Sequence, residues 1–184
     1  PLQSELETVF QIGNPSVTQL LNEKIRQEQG TILPLSLIML FVTLLISQRR
    51  FSTAFLPLAT AILSVVWTLG LMSALDLPIN VITSIVPALL IIVGSTEDIH
   101  MLAEYHAGIE QGLGRKSAID RMGRRIGLAI LLTFITSYLG FLSISLNNIQ
   151  LLQDFGIIAS TGLLINFTIT TLMIPATLSH IGSQ

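Results

Sequence analysis

Glu97 and Asp98 stand side by side in "LLIIVGSTEDIHMLAEYH" (89–106), with His100 and Glu104 after them in an otherwise apolar run. An acid at the centre of a membrane helix costs about 2.5–3.5 kcal/mol, and each Leu, Ile or Val returns only about 0.3–0.6. The run from Ile79 to Val93 can carry a helix into a bilayer, but the carboxylates must then face other helices or water, not lipid. At 100° per residue, Glu97, His100, Met101 and Glu104 share one face, and Asp98 lies on its flank with Gly94 and Tyr105. Adjacent carboxylates in a low-dielectric site rarely both ionise, so one of the two is expected to hold a proton. Buried acids of this kind are proton-binding sites in pumps and transporters. The chemistry expected is a proton relay through Asp98 and Glu97 with His100 beside them, the proton being the coupling ion and no cofactor being required.

Other chemistries fit less well. Glu97-x-x-His100 has the spacing of a di-iron carboxylate motif, which needs a second such motif and further Glu on other helices. No other span has an acid near its middle, so no metal is expected. An intramembrane aspartyl protease needs two Asp on separate helices, and only Asp98 is central. His100 and His106 are both candidate proton shuttles, although a His one or two turns from a membrane face is commonly an ordinary interfacial residue. The chain has no cysteine, which excludes a disulfide framework and a thiolate metal site. A further reading ends the membrane near Ser95 and leaves the acids interfacial. The span Ile79–Val93 would then be about 15 residues, short for a bilayer without tilt or thinning.

The elements that must position these acids are written in the hydropathy. Of 184 residues, 51% are hydrophobic and only 11% charged, with a mean hydropathy of +0.74; a soluble domain carries about 25% charge. The apolar residues gather into five spans, about 31–47, 53–75, 79–103, 126–146 and 153–178, each near the ~20 residues a crossing helix needs. They are continuous and not alternating, so an all-α polytopic bundle of five transmembrane helices is expected, not a barrel. Residues 1–30 are the one sizeable polar part. In "GNPSVTQLLNEKIRQEQG" Asn14 and Pro15 read as cap and first turn of a short helix and Gly30 as its stop, while "SELETVFQ" is ambiguous and could be a strand. The chain opens on Pro1 and reads as a piece of something longer.

Basic residues sort the loops. Arg49 and Arg50 lie in "SQRRFS", and Arg115, Lys116, Arg121, Arg124 and Arg125 in "GRKSAIDRMGRR"; "LDLPIN" and "SLNNIQLLQD" have no Lys or Arg. The positive-inside rule makes the two basic loops cytoplasmic, residues 1–30 extracytoplasmic and the C-terminus cytoplasmic. Small and polar residues recur at three-to-four spacing: Thr136, Gly140, Ser143 and Asn147 on the fourth span, Gly162, Asn166 and Thr170 on the fifth. Such faces serve as packing seams or as parts of a polar relay, and Thr136, Ser137 and Asn166 are the candidate relay partners. Pro57, Pro87 and Pro175 fall within or near the ends of spans, and Pro87, about three turns before Asp98, is placed either to loosen the third span or as a tolerated kink.

The ordered series of segments resembles one half of a transporter of the resistance–nodulation–division (RND) superfamily, on its lipid-exporter and Patched-like branch. "GNPSVTQLLNEKIRQEQGTILPLSLIML" is similar to the end of an extracytoplasmic domain entering the second helix. "RRFSTAFLPLATAILSVVWTLGLMSALDLPINVITSIVPALLIIVGSTEDIHMLAEY" looks like helices two to four, and "TFITSYLGFLSISLNNIQLLQDFGIIASTGLLINFTITTLMIPATL" like helices five and six, with "GF" in the fifth and "DFG" opening the sixth. The resemblance places Glu97 and Asp98 where the fourth helix carries acids for proton coupling. The commonest drug-exporter pattern has two Asp there, whereas this chain has Glu followed by Asp and then His100.

The resemblance implies proton-motive-force-driven export of hydrophobic or lipid-like molecules across a bacterial inner membrane. Residues 1–30 would close an extracytoplasmic domain, and 31–184 would form the bundle. The partners implied are membrane lipids, the hydrophobic substrate and the remaining half of the transporter. Homo-oligomerisation is left open and no nucleic acid is expected. Two further readings stand beside it: a sterol-sensing-like lipid-binding regulatory domain without proton flux, and an accessory subunit of protein translocation. An enzyme is not expected, since no nucleophile, phosphate loop or closed metal set appears.

Overall fold

A computed structural model describes residues 27, 30–43 and 51–181, of which 51–54 and 181 by backbone alone. The expected cap at Asn14–Pro15, the strand in "SELETVFQ" and the loop holding Arg49 and Arg50 lie outside the described residues. The elements are α1 (Gly30–Thr43), α2 (Phe51–Ala74), α3 (Val86–Glu110), α4 (Arg115–Ile144) and α5 (Gln150–Ile181), with a 3₁₀ turn at Thr83–Ile85 before α3. No strand occurs among the described residues. Helices α2 to α5 are each long and apolar enough to cross a membrane, while α1 is a shorter apolar helix over its described length.

Three boundaries differ from those read in the sequence, each for a local reason. Gly30 is not a stop: it is helical, as is Gln27, whose carbonyl accepts a bond from Thr31 Oγ1 at 3.2 Å. Pro87 stands near the start of its span, in the first turn of α3, where its missing N–H leaves no intrahelical bond unmade. Asn80 prepares that start by accepting the backbone N–H groups of Ile82 and Thr83 on its side-chain oxygen, at 3.0 and 2.9 Å. The third helix therefore begins at Val86 and runs on to Glu110, which puts Glu97 and Asp98 at its middle. The basic residues from Arg115 to Arg125 are not in a loop; they occupy the opening turns of α4, which passes unbroken into the apolar span.

The packing is a four-helix diamond. Helices α3 and α5 touch each other along the short diagonal, and each touches both α2 and α4, which stay apart. Helix α1 adds Leu33, Leu37 and the buried Leu40 to the apolar interior. Two apolar clusters fill the interior. One gathers Ala61, Val65 and Met72 with Leu90, Ile91, Ile158 and Leu163. The other gathers Leu56, Met101, Leu102 and Tyr105 with Met122, Ile174 and Leu178. Between them runs a layer of buried polar side chains: Thr60 and Ser64 on α2, Glu97 and Asp98 on α3, Asn166 and Thr170 on α5. Lipid supplies no hydrophobic force to hold helices together, so this polar layer and close backbone approaches have to do so.

The outside carries the apolar surface that a bilayer accepts. Phe55, Trp67, Ile92, Leu128 and Leu172 are all more than 60% exposed, a covering that a soluble monomer rarely shows in such extent. Helix α4 is the most outward: of its residues only Ala118, Met122 and Ile130 are buried.

Candidate functional site

The site is built on the middle of α3. Asp98 is 1% exposed and accepts two hydroxyl bonds from two other helices: Thr60 Oγ1 of α2 donates to Oδ2 at 2.5 Å, and Thr170 Oγ1 of α5 donates to Oδ1 at 2.9 Å. Helical register brings these together. Thr60, Ser64 and Thr68 fall at four-residue steps on α2, and Asn166 and Thr170 do so on α5, so each helix turns one polar lane to the diamond's centre. Ser64 Oγ donates to the carbonyl of Thr60 at 2.7 Å and accepts from Asn166 Nδ2 at 3.0 Å. The hydroxyl of Thr60 also has the carbonyl of Pro57 within 2.8 Å as a second acceptor. Among the described residues, no Lys or Arg forms an ion pair with Asp98.

Glycine lets this layer close. A Cβ on Gly94 would stand 2.7 Å from Asn166 Oδ1 and 2.9 Å from its Cγ, so the amide occupies the space of a missing side chain one turn before Asp98. Asn166 therefore belongs to the polar layer. Its bond, however, goes to Ser64 and not to either acid.

Glu97 turns the other way. It is 6% exposed and lines a groove of about 480 Å³ between α3 and α4, together with Thr96, His100, Glu104, Ala129, Ile130 and Thr133. His100 is exposed on the rim of this groove. The neighbouring carboxylates are thus divided between two environments, Asp98 between hydroxyls inside the diamond and Glu97 towards α4. The groove is closed at one end by Glu104, which takes Arg121 Nε at 2.9 Å and Arg125 Nη1 at 3.2 Å from α4. His106 lies farther along α3, its ring edge-on to Tyr105 at 5.5 Å, and is not part of the layer.

Two expected relay partners make no hydrogen bond to either acid. Thr136 is exposed and donates to the carbonyls of Leu132 and Thr133 on its own helix, and Ser137 is half-buried on the same outward stretch. The α4 threonine that lines the Glu97 groove is Thr133, one turn earlier. The lane Thr136–Gly140–Ser143–Asn147 is exposed along its length and is not a seam of this bundle. By contrast, Gly162, Asn166 and Thr170 are all buried against neighbours, as a seam requires.

The residues missed in the sequence are Thr60 and Ser64, with Thr170 read as part of a seam but not as a partner of the acid. The one signal they leave is spacing: the steps Thr60–Ser64–Thr68 put three hydroxyls on one side of α2.

The MMPL family model matches residues 8–184 of the chain. A membrane protein of Methanocaldococcus jannaschii is 25% identical over 168 residues, which cover 91% of this chain and 43% of that protein. The chain thus spans less than half the length of this relative. No solved structure matches it significantly.

Proposed function

The chain belongs to the MMPL family of the RND superfamily, and on that premise we propose that it is the proton-handling core of one transmembrane half of an exporter of hydrophobic or lipid-like molecules. It sits in the cytoplasmic membrane with residues 1–30 outside and the basic end of the bundle inside, as the Arg and Lys distribution favours. The observation that carries this reading is Asp98: an acid at the middle of a membrane-crossing helix, 1% exposed, held by hydroxyls from two other helices and by no cation among the described residues.

The chemistry follows from donors and acceptors. As a carboxylate, Asp98 accepts from Thr60 and Thr170. Once it takes up a proton, one of its oxygens carries a hydrogen and must donate. Thr60 has the acceptor that this exchange needs: its hydroxyl turns to the Pro57 carbonyl and its oxygen then accepts from Asp98. Loading and unloading the proton thus rewires the α2–α3 contact and changes the charge between the two apolar clusters. Glu97, with His100 beside it, is the second proton-carrying group and faces α4. The resulting shift of α3 against its neighbours is passed to the extracytoplasmic domain, where cargo is handled. The groove beside Glu97, open past Thr96 and His100 with Ile92 65% exposed next to it, is covered by the remaining half of the transporter.

The test is proton-gradient-driven export by the full-length protein in liposomes, comparing wild type, Asp98→Asn and Glu97→Gln at equal insertion. Export that fails in Asp98→Asn with the fold intact supports proton coupling at this carboxyl. Wild-type export that ignores the gradient, or an active Asp98→Asn, makes the acids structural and leaves a lipid-sensing role without proton flux as the better reading.

A further inference from the structure

The basic end of the bundle carries a second site that proton handling does not use. Between the start of α4 and the end of α5 lies an open groove of about 760 Å³, lined by Arg115, Lys116, Ile119, Pro175, Ala176 and Ser179. Two cations stand at its mouth over an apolar floor. Arg115 is fixed across it by donating Nη1 to the carbonyl of Ser179 at 3.2 Å, which leaves Nε and Nη2 to face an anion. Neither Arg115 nor Lys116 has a carboxylate partner among the described residues, and Asp120, one turn along α4, is taken by Arg124 at 2.9 Å.

Beyond the groove's lining the surface of α4 stays open. Seven and eleven residues beyond Lys116, on the same side of α4, come Gly123 and Gly127, and a Cβ at either would meet nothing within 4 Å. On α5, Ala176 and the 67% exposed Leu172 continue the other wall one turn apart. Phe134, a further two turns along the same side of α4, ends the lane by stacking on Phe167 at 4.2 Å. At 1.5 Å per residue, Ile119 to Phe134 is about 22 Å. One leaflet of hydrocarbon is about 15 Å deep, half of the ~30 Å core.

We infer that this groove holds an anionic phospholipid, its phosphate between Arg115 and Lys116 and an acyl chain along Ile119, Gly123 and Gly127. Charge complementarity selects the headgroup, as at other basic pockets between transmembrane helices. The apolar lane selects a lipid over a free phosphate, because an inorganic anion would leave Ile119, Pro175 and the glycine lane without a partner. This site is independent of Asp98 and stands whether or not that carboxyl carries protons.

Native mass spectrometry of the full-length protein, purified in detergent and titrated with phosphatidylglycerol or phosphatidylcholine, tests it. Wild type is expected to retain phosphatidylglycerol at least about tenfold better than phosphatidylcholine. R115Q/K116Q should lose that preference, and R125Q, which removes a charge outside the groove and leaves Glu104 paired with Arg121, should keep it. Gly123→Leu, whose side chain enters open space, should melt like wild type yet bind phosphatidylglycerol about tenfold more weakly with both cations in place. Phosphatidylglycerol held equally by R115Q/K116Q, or no preference over phosphatidylcholine, overturns the assignment. So does displacement of the bound lipid by inorganic phosphate alone, which would mark a plain anion site. An acidic protein as the true occupant would appear as absent lipid selectivity and overturns it as well.

Discussion

Thr60 on α2 and Asp98 on α3 are joined by a hydroxyl with two close acceptors, the carboxylate at 2.5 Å and the Pro57 carbonyl at 2.8 Å, and a more distant one, the Leu56 carbonyl at 3.4 Å. Substitution of Thr60 tests whether this choice matters. Thr60→Val keeps the shape and removes the hydroxyl; Thr60→Ser keeps the hydroxyl. If proton exchange rewires this contact, export by Thr60→Val falls by at least about tenfold and Thr60→Ser stays within about threefold of wild type. Loss of one donor to a buried acid also costs about 1–3 kcal/mol of stability, so both variants are to be compared at matched thermal stability. Equal export by Thr60→Val and wild type would leave the hydroxyl a passive contact.

Gly94 and Asn166 form one unit and their substitutions are expected to couple. Gly94→Ala drives a methyl against the Asn166 amide, 2.7 Å from Oδ1, and overpacking of this kind costs about 1–3 kcal/mol. Asn166→Ala removes the obstacle but also the bond to Ser64 at 3.0 Å. In a thermal-unfolding cycle in detergent, the double variant should be more stable than the sum of the two single losses by about 1 kcal/mol or more. Strict additivity would mean that the two residues do not share the space the geometry gives them.

How much of this was legible depends on which property each residue expresses. The apolar runs announced α2 to α5, because a bilayer demands long continuous segments, and the acids of α3 stood out against them. Periodicity gives a face but not the direction in which it points. Thr136 and Asn166 sit on similar lanes of small and polar residues, yet α5 lies on the diamond's short diagonal and α4 on its outer corner, so one lane is buried and the other exposed. Thr60 and Ser64 were hidden for the opposite reason: single hydroxyls in a helix as apolar as α2 satisfy themselves on their own backbone, and only the approach of Asp98 gives them a second role. The start of α3 was invisible to hydropathy because Ile79 to Val93 is apolar on both sides of it; the turn chemistry of Asn80 and Pro87 sets it.

The latch at the basic end should respond to salt. Glu104 takes Arg121 and Arg125 from α4, and Arg121 also donates to the Gln111 side chain. The arginines are partly exposed, so the latch is weak and its loss should raise local opening by no more than about fivefold. Glu104→Gln should speed amide hydrogen exchange over 115–125 by about that factor at low salt. Half-molar salt should do the same to wild type and add nothing to the variant. Arg121→Gln should have a smaller effect, since Arg125 still holds the acid. Exchange that is insensitive to both charge and salt would show that packing of Ala118 and Met122 alone holds this end.

Two glycines of the α4–α5 hairpin look alike in the sequence and should behave oppositely. Gly156, in "DFG", lies against the backbone of α4: a Cβ there would be 2.9 Å from the Phe141 carbonyl oxygen and 3.0 Å from the carbonyl carbon of Ile144. Backbone cannot rotate aside as a side chain can, so Gly156→Ala must part the helices and disturb the Phe141–Phe155 ring contact at 5.9 Å. A loss of about 2–3 kcal/mol is expected, at the upper end for overpacking. Gly140, in "GF", has nothing within 4 Å of its would-be Cβ. Gly140→Ala should therefore leave the isolated bundle unharmed, or stabilise it by about 0.5–1 kcal/mol through helix propensity. Because Gly140 is on the outward lane, its effect on export in the full-length protein separates lipid contact from subunit contact. Normal export by Gly140→Ala means that lipid faces this lane, and failed export with an intact fold means that another part of the transporter docks there.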